Sequence, residues 1–192
     1  GDFQYLGRLI VGFDDQGVIL PDSLDPGING AWATDMISQP FSPDPFVEEI
    51  TNDLDAVLLA KDGNVLGLTD VYLDGRRSQV RTEETNLGNL TSRANLWLAK
   101  QQDPSVEVAI KNGGGIRAEI GLALQPPGST DVSEIQFLKP EANPAVGKPA
   151  GGISQLDLET SLRFDNGLVM VTVTPAELAD LLEHAFHEVA DG

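Results

Sequence analysis

From residue 64 onward the chain alternates between apolar runs with strand spacing and apolar stripes with helix spacing. A strand is predicted from Asn64 to Leu73, stopped by the Asp74-Gly75 turn. Leu87, Leu90, Ala94, Trp97 and Leu98 predict a helix from Asn86 to Gln102, broken by Asp103-Pro104. Val106–Ile110 reads as a short buried strand, residues 119–152 as a Gly- and Pro-rich surface excursion, and Ser154 with Asp157 as the start of a short helix. After the Asn166-Gly167 turn come a strand over Leu168–Thr174 and a last helix, opened by the capping box Thr174-Pro175-Ala176-Glu177. Its stripe is Leu178, Leu181, Leu182, Ala185 and Val189. This order predicts a mixed α/β (α+β) domain rather than an all-α or all-β one.

Upstream, residues 3–20 read as a hairpin turning at Asp14-Asp15-Gln16-Gly17. Two strands alone are marginal in water, so this hairpin is expected to belong to a larger sheet. Residues 21–45 hold five of the 12 prolines and read as an irregular linker. A helix is predicted over 44–62, with Asp44 as cap and an apolar stripe of Phe46, Ile50, Leu54, Val57 and Leu58.

Composition removes several classes. At 192 residues the chain can bury a core unaided, and the absence of Cys excludes disulfides and thiolate metal sites. No apolar run is long enough for a membrane span, and Gly1-Asp2-Phe3-Gln4 lacks the features of a signal peptide. With 30 acidic against 12 basic residues the net charge is −18, the wrong sign for nucleic-acid binding. An anion would need a local island of arginine, for which Arg76-Arg77, Arg81 and Arg117 are the candidates. Self-sufficient catalysis is not legible. His184 and His187 sit three apart on the last helix without a third ligand, and there is no GxSxG nucleophile elbow.

Two segments carry more. Asn112-Gly113-Gly114-Gly115-Ile116-Arg117 follows a predicted strand. Its glycines let backbone approach a ligand, and the arginine adds a fixed charged fork. Without Lys-Ser/Thr it is not a P-loop. Arg81 through Leu90 opens a helix, where polar residues cap and anions are favoured.

Together with Tyr72-Leu73-Asp74-Gly75 and Phe164 in Leu162-Arg163-Phe164-Asp165-Asn166-Gly167, these blocks resemble the C-terminal, substrate-binding domain of the 5'-nucleotidase and UDP-sugar hydrolase family. The resemblance implies a layered sheet with helices. It assigns 1–43 to the end of a preceding metallophosphatase domain and a linker, 44–63 to an interdomain helix, and 64–192 to an incomplete substrate-binding domain. It implies substrate-binding roles for Arg81, Asn112, Gly113, Gly114 and Arg117 toward ribose and phosphate, and base stacking for Phe164. Glu84 and Thr85 receive no role.

The family's two divalent metal ions (Zn, Mn or similar) are expected in the preceding domain, so this chain alone is expected to be inactive. A second stacking aromatic and a ligand-binding Asp are expected beyond Gly192. The parent is expected to be an extracytoplasmic enzyme that hydrolyses nucleoside 5'-monophosphates, rotating its domains through the 44–62 region. UDP-sugars and 2',3'-cyclic nucleotides are alternative substrates. A non-catalytic acidic module binding Ca²⁺ or a protein is the alternative of another class. The 119–152 excursion is longer than the family leads one to expect and is a candidate to cover the pocket, and a free strand edge offers a route to a dimer.

Overall fold

Side-chain caps start the helices where the sequence puts them. In the computed structural model, which describes residues 5–33, 42 and 44–190, helix α1 (Pro45–Gly63) begins at Asp44, whose Oδ1 accepts from the amides of Phe46 at 2.9 Å and Val47 at 3.2 Å. Helix α3 (Asn86–Gln102) is capped by Thr85, and α4 (Gln155–Ser161) by the reciprocal Ser154–Asp157 box. At α5 (Pro175–Ala190), Glu177 accepts from the Thr174 amide at 2.7 Å. One further short helix, α2, spans Gln79–Thr82.

The mixed α/β chain divides into two compact units, residues 1–51 and 52–192. In the first, β1 (Tyr5–Arg8) pairs antiparallel with β2 (Gly30–Ala33), not with residues 18–20 as expected. The expected hairpin survives as a bridge between Phe13 and Ile19, around a turn closed by Asp14. Pro21 explains the difference: it lacks an amide hydrogen and opens a 3-10 turn, which ends the returning run after three residues. The linker reading over 21–45 is corrected where it meets β2, and its residues 34–41 and 43 lie outside the described residues.

In the second unit, β3 (Val65–Leu68) pairs antiparallel with β6 (Gly152–Ser154), with a register shift between Val65 and Gly67. β4 (Leu122–Leu124) pairs with β5 (Gln136–Leu138) inside the excursion. Residues 106–110 and 168–174, expected as strands, form none. Val108, Ile110, Val169 and Val171 stay exposed, and an apolar run without a ladder partner gains little from extended backbone. The stripe of α1 also faces no core, since none of its residues is buried. The excursion is not wholly superficial, because Ile120 and Lys148 are buried.

The core is Leu73, Leu87, Ile116 and Ile120, with Val80, Ile153, Leu158 and Leu162 packed against it. Leu87 and Ile120 are each 1% exposed, and burying such side chains contributes about 1.5–3 kcal/mol apiece. Each apolar anchor has a polar or aromatic neighbour in sequence: Val80 precedes Arg81, Ile116 precedes Arg117, and Leu162 lies two residues before Phe164.

Candidate functional site

The glycine segment forms a 3-10 turn over Gly113–Gly115, with Asn112 as its cap. Asn112 Oδ1 accepts from the Gly114 amide at 2.9 Å, and the Gly115 amide donates to the Asn112 carbonyl at 3.0 Å. That leaves the Nδ2 hydrogens of Asn112 as its remaining donors. The turn packs on α2, and the contact dictates glycine at 113: a Cβ there would stand 1.9 Å from the Val80 carbonyl oxygen. A Cβ at Gly114 would come within 3.3 Å of both Arg81 Nη2 and Asn112 Oδ1, filling the space between them.

Beyond the turn, Ile116 anchors in the core and the Arg117 amide donates to the Ser161 carbonyl at 2.8 Å. The Arg117 guanidinium lies 5.7 Å from the centroid of the Phe164 ring, within cation–π range. Phe164 is 52% exposed, so this ring is not core.

Arg81, Asn112, Gly114 and Phe164 line one cavity of about 510 Å³, together with Gly115 and Asn166. Gly113 and Arg117 are not in its lining: the first serves the contact with α2, and the second stands over the far aromatic wall. Gly115 and Asn166, which lie in the motif segments but receive no binding role in sequence, complete the lining. Asn166 reads there only as half of an Asn-Gly turn, yet in extended chain it shares a side with Phe164 two residues before it. No residue of 119–152 lines the cavity, so the excursion does not cover it.

The charge here is local. Among the described residues neither Arg81 nor Arg117 has a carboxylate partner, whereas Arg76 is held by Asp74 at 2.6 Å and lies 4.5 Å over the Phe137 ring. The hydrogen bond from Arg76 holds the Asp74 carboxyl below its ordinary value against the cost of burial. That removes Arg76 from the candidates for an anion.

The Thr85-Asn86-Leu87-Gly88-Asn89 block builds rather than lines the site. Thr85 Oγ1 accepts from the Gly88 amide at 3.1 Å. Asn86 accepts from the Asp74 amide and donates to the Tyr72 carbonyl, both at 2.7 Å, and Leu87 enters the core. The acidic turn at 14–17 has an internal explanation too, since Asp14 Oδ1 accepts from the amides of Gln16 and Val18 at 2.9 Å.

Among the described residues no three of His, Asp and Glu are placed to hold a metal ion, and His184 and His187 are exposed on α5. No described helix is long and apolar enough to cross a membrane.

Residues 65–192 match the family model described as 5'-nucleotidase, C-terminal domain. The trifunctional nucleotide phosphoesterase protein YfkN of Bacillus subtilis (strain 168) is 38% identical over 121 residues, covering 61% of this chain and 8% of that protein. The snake venom 5'-nucleotidase of Naja atra is 33% identical over 122 residues, covering 61% of this chain and 22% of that protein. A crystal structure of a 5'-nucleotidase precursor from Thermus thermophilus is similar at TM-score 0.54 and 26% identity, covering 94% of this chain and 28% of that one. The chain thus spans under a third of the length of each of these relatives.

Proposed function

The chain belongs to the 5'-nucleotidase C-terminal domain family, and from that premise we propose that it holds the nucleoside and phosphate of a nucleotide in the cavity between the glycine turn and Phe164. The carrying observation is the cavity's two unlike ends. One has the Arg81 guanidinium beside the glycine turn, suited to an anion. The other has an exposed aromatic face, suited to any nucleobase. Asn112 and Asn166 also line the cavity and offer partners for ribose hydroxyls.

Two divalent ions find no donor set among the described residues. On the family resemblance we assign them, and the hydrolytic step, to a metallophosphatase domain of the parent. The parent is read as a hydrolase of nucleoside 5'-monophosphates acting outside the cytoplasm. The name of the Naja atra relative supports both parts, and the name of the Bacillus relative favours a wider range of phosphoesters as the second reading.

Calorimetric titration of adenosine and AMP tests this. Phe164→Ala is expected to weaken both ligands alike, by about 1–3 kcal/mol. Arg81→Ala is expected to weaken AMP more than adenosine. Equal losses for the two ligands in Arg81→Ala would remove the phosphate role, and adenosine binding left unchanged by Phe164→Ala would remove the base-stacking role.

A further inference from the structure

A second polar cluster is buried at the end of α4 remote from the cavity. Lys148, only 7% exposed, places Nζ 2.7 Å from Asp62 Oδ1 and 2.8 Å from Asp157 Oδ2. Asp62 also accepts from Asn143 Nδ2 and from Ser154 Oγ, each at 2.9 Å. Three elements meet there: the last turn of α1, the end of the excursion, and the first turn of α4. Despite the cost of burial, these hydrogen bonds hold the Asp62 carboxyl below its ordinary value and the Lys148 ammonium above its own.

The other end of α4 reaches the cavity wall. Ser161 is fully buried; its Oγ donates to the Ala118 carbonyl at 2.7 Å, and its own carbonyl takes the Arg117 amide. Leu158 and Leu162 pack against the core, and Phe164 lies two residues further on. α4 is therefore a strut about 10 Å long, pinned by ion pairs at one end and by the Arg117 backbone at the other. An apolar contact would hold two helices together with less directional preference than charged hydrogen bonds at fixed lengths.

We propose that Lys148 is a positioning residue for the cavity: by fastening the first turn of α4 to the last turn of α1 it sets where Arg117 and Phe164 stand, though it touches neither. What the cavity binds rests on the nucleotide reading above; the coupling does not.

The test uses the full chain. NMR follows the Phe164 ring and the Arg117 amide in Lys148→Met, and adenosine is titrated into Lys148→Met, Phe164→Ala and the double variant. We expect both signals to shift and adenosine affinity to fall about tenfold. The double variant should bind little worse than Phe164→Ala alone, because both changes act through one ring. A variant that only loosened the fold would give multiplied losses instead. Signal changes confined to residues 62 and 143–157, or multiplied losses, would overturn the proposal. Should Lys148→Met not fold, Asp62→Asn, which keeps the Lys148–Asp157 pair, is read for the same two signals. If the native chain binds no adenosine, the NMR signals alone decide the role of Lys148.

Discussion

At Tyr72 a phenol hydroxyl is buried with no hydrogen-bond partner among the described residues, and the ring packs 4.9 Å from Phe137. Burial, then Glu119, then Asp74 push its pKa up to about 12 from 10.0. An unsatisfied buried hydroxyl costs about 1–3 kcal/mol, so Tyr72→Phe should raise the thermal midpoint rather than lower it. The sign at high pH follows as well. The unfolded chain releases this proton first, so stability falls between about pH 10 and 12 in the native chain and less in Tyr72→Phe. A lower midpoint for the variant at neutral pH would mean that the hydroxyl has a partner. Nothing in the sequence around Tyr72 signals this burial, because the residues covering it come from the distant excursion. Arg81, Asn112 and Gly114 stand out through the family resemblance, since a glycine turn or a helix start alone is a weak signal, and the structure brings the three to one cavity. The distinct task of Gly113 is not legible, since it depends on the approach of the Val80 carbonyl.

Helix starts are legible because a cap and the amides it serves lie within a few residues of each other. Thr85, given no role in sequence, is buried and caps α3, the helix whose first turn carries Leu87 into the core beneath the cavity. Thr85→Ala should cost about 1 kcal/mol, and Thr85→Ser should recover most of it. Chemical denaturation reads both, and a loss as large in the serine variant would show that the methyl group, not the cap, carries the effect. Strands are less legible, because the information that makes one is the partner. Residues 106–110 and 168–174 have the composition without a ladder, whereas β3 exists through β6, a segment whose sequence signals only the approach to a helix. The hairpin of β4 and β5 is hidden for the same reason, in a stretch whose Gly and Pro content indicates only irregularity.

For the molecule as a whole, charge sets the response to acid. At −18 the folded chain repels itself, so stability should rise gently only as pH falls through about 5, where carboxylates begin to take up protons. Asp62 and Asp74 oppose this further down. Their folded values lie below the ordinary one, so their contribution is complete above about pH 4 and is lost as pH falls through those lower values. The thermal midpoint should therefore turn over and drop below about pH 4, with a shallower drop in Asp62→Asn. A midpoint that kept rising into acid would mean that repulsion outweighs both carboxylates.

The contacts that close this domain also govern how it assembles. Lys61 with Glu159, Ser154 with Asp62, and Lys148 with Asp62 join positions 98, 92 and 86 residues apart. None of them stabilises the chain until a loop of that size has found its ends. The helices can flicker into shape on their own caps, while the cavity wall built by α4 waits for the slow, entropy-limited meeting of distant segments.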